Sequence, residues 1–120
     1  MKKIFLALAL SLTMIAPIQV KAEEMGAFEA YWVFVGATKD DGGVAGRAIQ
    51  KLAKKCGLEA SGDWSWKFQV PAGKLIYTLD QYFPVAVHGK NGQKKAEALR
   101  AKVSKCIPDA YVKKVWYAGE

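Results

Sequence analysis

The only two cysteines of this 120-residue chain each close a near-copy of the same segment. Ala48-Ile-Gln-Lys-Leu-Ala-Lys-Lys-Cys56 and Ala98-Leu-Arg-Ala-Lys-Val-Ser-Lys-Cys106 are both amphipathic and lysine-rich, and their cysteines stand 50 positions apart. Each follows a short valine-rich stretch that reads as a strand, Val33-Phe-Val35-Gly36 before the first and Val85-Ala-Val87-His-Gly89 before the second. A strand–helix unit repeated with matched cysteines predicts a small domain of two halves joined by one disulfide.

The first 22 residues are set apart from the fold. Lys2 and Lys3 form a positive start, Ile4 to Ile15 is a short apolar run, and Val20-Lys21-Ala22 offers small residues at −3 and −1 of a cleavage site. The run is too short for a comfortable membrane span, and no second hydrophobic segment follows. Residues 1–22 are therefore expected to be a signal peptide cleaved after about Ala22. Residues 23–120 then form the mature chain, exported to the periplasm and left without a stable membrane anchor. Such a length suits one domain with one modest core.

Removing that segment takes Lys2, Lys3 and Lys21 from the 18 basic residues and nothing from the 11 acids, so the net charge falls from +7 to +4 (15 minus 11). The remaining charge suits anionic envelope surfaces or an acidic partner protein, and export argues against nucleic acid. In an oxidising compartment a lone pair of distant cysteines points to a structural bridge, Cys56–Cys106. Two cysteines and the single His88 are too few for a metal site, and the pair lacks the Cys-x-x-Cys spacing of a catalytic dithiol. No cofactor or metal is expected.

Along the mature chain, Phe28 to Ala37 is rich in aromatic and β-branched residues on both alternating sides, which predicts a strand buried on two faces. Thr38 to Gly43 punctuates it, and Asp40 or Asp41 can cap the next helix. Ala45, Ala48, Ile49, Leu52, Ala53 and Cys56 form the predicted core stripe of that helix, with Gly57 as its stop. Trp64, Trp66, Phe68 and Val70 alternate with polar residues and predict a second strand. Pro71-Ala-Gly73 signals a turn, Leu75 to Leu79 a third strand, and Val85 to Val87 a further short one beginning after Pro84. A second helix over about Gln93 to Cys106 and a last strand over Ala110 to Tyr117 complete the chain. The order is β-α-β-β-α-β, with room for an extra short strand in the middle. It predicts an α+β, ferredoxin-like fold with two helices on one face of an antiparallel sheet. A helical hairpin on a β-meander is the competing arrangement.

Over about residues 30 to 115 the chain resembles the sporulation-related repeat (SPOR) family of bacterial peptidoglycan-binding modules. The likeness rests on Tyr31-Trp-Val-Phe-Val-Gly-Ala37, Val85-Ala-Val-His-Gly89, Ala96-Glu-Ala-Leu-Arg-Ala-Lys102 and Asp109-Ala-Tyr-Val-Lys113. It implies a two-half ferredoxin-like domain that binds peptide-stripped glycan strands on the exposed sheet face. The chain departs from the family pattern at Phe34 and Ala86, where polar residues are common, and at His88, which separates Val87 from Gly89.

Trp32, Phe34, Trp64, Trp66 and Phe68 are the candidate ligand-binding residues of that sheet face. Flat apolar rings stack on sugars and also anchor protein interfaces, though large aromatics more often complete a small core. Trp64 and Trp66 are the two expected to be exposed, because Ser61-Gly62-Asp63 leads into them as a loop candidate. Arg47, Lys51, Lys54 and Lys55, with Lys94, Lys95, Arg100, Lys102 and Lys105, form basic helix faces that would add long-range attraction or simply solubility. His88 has no partner that the sequence can name. No serine, histidine or carboxylate spacing points to catalysis, so the chain reads as a non-enzymatic binding module. The expected partner is peptidoglycan glycan or an envelope protein. The second case would make it a periplasmic inhibitor, an immunity-type protein or an accessory of an envelope complex.

Overall fold

Strand β1, Phe28–Thr38, runs through the middle of the fold, and every residue from Ala30 to Val35 is buried. The computed structural model describes residues 26–39, 43–70 and 74–118, of which Glu29–Tyr117 make one compact unit. The expected signal segment 1–22, the Asp40 and Asp41 cap and the 71–73 turn lie outside the described residues.

The remaining elements follow as α1 (Gly43–Lys55), β2 (Ala60–Trp64), a 3₁₀ segment (Ser65–Phe68), β3 (Leu75–Leu79), β4 (Phe83–Pro84), α2 (Val85–His88), α3 (Asn91–Val103) and β5 (Tyr111–Tyr117). They form an α+β domain whose five-stranded sheet has the order β2-β3-β1-β4, with β5 also pairing β1. The pairs β2–β3, β3–β1 and β1–β4 are antiparallel. β3 and β4 pair successive parts of β1 in nearly one register, from Thr38↔Leu75 to Ala30↔Pro84. They act as one edge interrupted at Asp80-Gln-Tyr82. This layout is compatible with a ferredoxin-like fold.

The two sides of β1 have different partners. Tyr31, Val33 and Val35 join Ala53 of α1 and Ala96 and Val103 of α3 in one core, so both long helices pack on that side. Trp32 and Phe34 point the other way, into an aromatic layer with Phe68 of the 3₁₀ segment. The alternation in the first strand thus serves two apolar layers, as its composition predicts.

Three local expectations are corrected. The strand expected through Val70 ends at Trp64, and residues 65–68 form a 3₁₀ turn. Trp64 already pairs with Leu75, the first residue of β3, so the ladder ends there. Gln69 at φ 58 and ψ 38 turns the chain, while Phe68 is buried on the aromatic side of β1. Burial of that ring prevails over the period-two pattern. Val85 to Val87 is likewise helical, not a strand. The edge of β1 is filled by β3 and β4 as far as Pro84, and Gly89 N–H closes a turn onto the Val85 carbonyl at 2.8 Å. Tertiary context overrides β-propensity here, and the strand part of the repeat fails in its second half.

The helices of the repeat are present, with α1 rotated from its expected face. Ala53 is buried and Ile49 and Cys56 pack against the core as expected, whereas Ala45, Ala48 and Leu52 are exposed and Gly46 is buried in their place. Gly46 accounts for the rotation: a Cβ there would sit 1.9 Å from Tyr77 Oη, so glycine lets the helix press against the buried Tyr77 of β3. Gly57, at φ 76, ends α1 as expected, with Leu58 N–H donating back to the Ala53 carbonyl at 3.1 Å.

Cys56 and Cys106 form the disulfide, their Cα atoms 6.1 Å apart. Each stands just beyond the end of its helix, α1 or α3, so the bridge joins the two helix ends. Replacing both by alanine should lower the unfolding free energy in urea by about 4 kcal/mol, the chain-entropy value for a loop of this separation. Gly46→Ala should cost roughly 1–3 kcal/mol, as overpacking against Tyr77 does, and lower the thermal midpoint accordingly.

Candidate functional site: an aromatic layer and its exposed rim

Of the five candidate aromatics, three are enclosed and two face solvent. Trp32, Phe34 and Phe68 are each 5% exposed or less, while Trp64 is 48% and Trp66 60% exposed. The sheet face expected to be open is therefore closed at its centre. The cause is the 3₁₀ segment, which lays Phe68 edge-on against Trp32, with ring centroids 5.3 Å apart, and against Phe34 at 5.5 Å. Tyr82 stacks on Trp32 at 4.2 Å from the interruption between β3 and β4. Tyr111 stacks on Phe34 at 5.3 Å, and Tyr117 packs on both Trp32 and Phe68, all from outside the five residues anticipated.

These tyrosines had a legible but unspecific signal. Tyr111 and Tyr117 lie on a strand candidate two and four residues beyond charged or mixed positions, and Lys113 and Lys114 blur its alternation. Tyr82 lies between strand candidates, where periodicity carries no information.

The layer holds one orphaned polar atom. The indole Nε1 of Trp32 is buried and, among the described residues, has no hydrogen-bond partner. An unmade bond of this kind costs about 1–3 kcal/mol, which ring packing on three sides of Trp32 offsets.

Asp63 ties the rim together. Its Oδ1 accepts the Trp64 backbone N–H at 2.8 Å and lies 3.6 Å from Lys67 Nζ. Its Oδ2 accepts the Tyr117 hydroxyl hydrogen. One carboxylate thus links β2, the 3₁₀ segment and β5, and orients the chain on either side of Trp64. Lys67 Nζ also sits 5.7 Å from the Trp66 ring centroid, in cation–π range. Nearby, Ser61 Oγ donates to Asp80 Oδ1 at 2.6 Å across the β2–β3 edge. Asp63 and Asp80 therefore serve as structural acceptors.

The rim offers two exposed indole faces flanked by a cation and hydrogen-bonding groups. It can stack on a flat apolar surface and hydrogen-bond at its edge. His88 lies apart, half-buried with its ring edge-on to Phe83 at 5.5 Å. It shares a shallow groove of about 530 Å³ with Tyr82, Lys95 and Lys102. Among the described residues, no group of three or more His, Cys, Asp or Glu side chains is placed to hold a metal ion. None of the family models, curated proteins or solved structures compared with the chain matches it significantly.

The division into enclosed and exposed rings is measurable as stability. Phe68→Ala should cost about 3–5 kcal/mol in denaturant unfolding, the scale of an emptied aromatic core site. Trp66→Ala should change stability by no more than about 0.5 kcal/mol, as an exposed side chain does.

Proposed function

We propose that the protein is an exported, non-catalytic binding module of the cell envelope that recognises peptidoglycan glycan through Trp64 and Trp66. The observation that carries this reading is the exposure of two tryptophans beside Lys67, next to a sheet face whose central aromatics Trp32, Phe34 and Phe68 are buried. Exposing two large indoles has a hydration cost that a solitary domain would avoid, and flat rings next to polar groups suit sugar faces. The proposed scaffold is a SPOR-like ferredoxin arrangement, β-α-β-β-α-β, with β3 and β4 counted as one interrupted strand. Periplasmic export after cleavage of residues 1–22 belongs to the same proposal, and the disulfide is consistent with it.

The mode of contact differs from the one that the family resemblance implies. Glycan would lie along the rim formed by the end of β2 and the 3₁₀ segment, because Trp32 and Phe34 are covered. That same closure favours a second reading, in which Trp64 and Trp66 anchor a protein interface, as in a periplasmic inhibitor or immunity-type protein.

Co-sedimentation with purified sacculi, before and after amidase removal of peptide stems, separates the two. The glycan reading predicts retention that rises on stripped sacculi. It also predicts a loss of roughly tenfold or more in the Trp64→Ala, Trp66→Ala double variant, the scale of a tryptophan anchor. Absence of retention on both preparations would reject the glycan reading in favour of a protein partner.

A further inference from the structure

Helix α1 carries a second surface, distinct from the tryptophan rim. Its buried side is centred on Gly46 and Ala53, which leaves Val44, Ala48 and Leu52 on the outside at i, i+4 and i+8. Val44 is 76% exposed and Leu52 38%. A parallel row of cations, Arg47, Lys51 and Lys55, occupies the adjacent i, i+4, i+8 line, with Lys54 beside it. The two rows share one surface: Ala48, Lys51, Leu52, Lys54 and Lys55 line a common shallow depression. Helix α1 contains no acidic residue. Helix α3 adds Lys94, Lys95, Arg100 and Lys102 against Glu97 alone, and Glu97 already accepts a hydrogen bond from Arg100 at 2.7 Å.

We propose that this outer face of α1 is a reversible docking surface for an anionic lipid bilayer. Charge complementarity identifies the occupant. Arg47, Lys51 and Lys54 line a groove with Glu59 as its one carboxylate, and with Lys55 they leave this face net positive and attractive to a negatively charged surface. Each lysine near such a surface strengthens binding about fivefold. The apolar row then distinguishes a bilayer from other polyanions. Val44 and Leu52 have no counterpart to contact on a soluble polyphosphate or polysaccharide. At the headgroup–acyl boundary they can be buried while the lysine ammonium groups remain among the phosphates. Three small-to-medium apolar side chains are too few to anchor the protein, so charge supplies most of the attraction and binding is reversible and salt-sensitive. This surface does not depend on the glycan reading.

The test uses the disulfide-bonded protein and sedimentation with two kinds of vesicle. One is phosphatidylcholine alone, and the other is an equal mixture of phosphatidylcholine and phosphatidylglycerol. Binding to the mixed vesicles but not to phosphatidylcholine is expected. Lys51→Gln with Lys54→Gln should weaken it about 25-fold, following the per-lysine factor. Val44→Asn with Leu52→Asn should weaken it several-fold while leaving retention on heparin unchanged. Val44, Lys51 and Lys54 are well exposed and Leu52 is 38% exposed, so these variants should keep the parent's far-ultraviolet spectrum, with at most a modest fall in thermal midpoint from the Leu52 substitution. The proposal is overturned if mixed vesicles retain no protein. It is equally overturned if the Val44/Leu52 variant binds them as the parent does, since that identifies a general polyanion patch.

Discussion

Burial of β1 on both faces is the constraint on which the rest of the structure depends. A strand placed between two apolar layers must send bulky residues in both directions, and Tyr31, Val33 and Val35 alternate with Trp32 and Phe34 to do so. One layer is supplied by the helices α1 and α3. Among the described residues, the other is supplied by a four-residue 3₁₀ segment carrying Phe68. Tyr111 and Tyr117 of β5, with Tyr82 from the interruption between β3 and β4, complete the cover. The proposed binding surface accordingly lies at the margin of the aromatic layer, where Trp64 and Trp66 remain outside.

The helical side shows a corresponding economy. Close approach of Gly46 to Tyr77 sets the rotation of α1, and the disulfide holds the end of that helix against the end of α3. Rotation toward Gly46 and Ala53 leaves Val44, Ala48 and Leu52 unpartnered within the domain, next to a row of lysines. The domain therefore presents two dissimilar outer surfaces. One is aromatic with a single tethered carboxylate at its root, and the other is cationic with a narrow apolar row. The proposed glycan and lipid contacts therefore use different surfaces of the domain.

Much of the fold was legible because its strongest signals are compositional. The cysteine pair, the two lysine-rich helices, the Gly57 stop and the dense β-character of Phe28 to Thr38 each rest on a local physical preference that the tertiary structure reinforces. The misreadings arose where local pattern and tertiary burial compete. Trp64, Trp66, Phe68 and Val70 alternate as a strand should, but Phe68 gains more by turning onto Trp32 than by extending a ladder that has ended. Val85 and Val87 are β-branched, yet the pairing along β1 ends at Pro84 and the chain turns there into α2. For the candidate site, the exposure of Trp64 and Trp66 was legible, although Ser61-Gly62-Asp63 belongs to β2 and is not the expected loop. The enclosure of Trp32 and Phe34 was not legible, because their covering groups come from elsewhere in the chain.

The enclosure of one face of β1 and the exposure of its rim can be read directly from hydrogen exchange of the tryptophan indole N–H groups, followed by nuclear magnetic resonance. The Trp32 indole proton should exchange slowly, at a rate set by opening of the aromatic layer, although it has no hydrogen-bond partner among the described residues. Those of Trp64 and Trp66 should exchange at the rate of a free indole. Rapid exchange at Trp32, comparable to that of the other two, would contradict the closed sheet face and restore the open surface on which the chain's family resemblance depends.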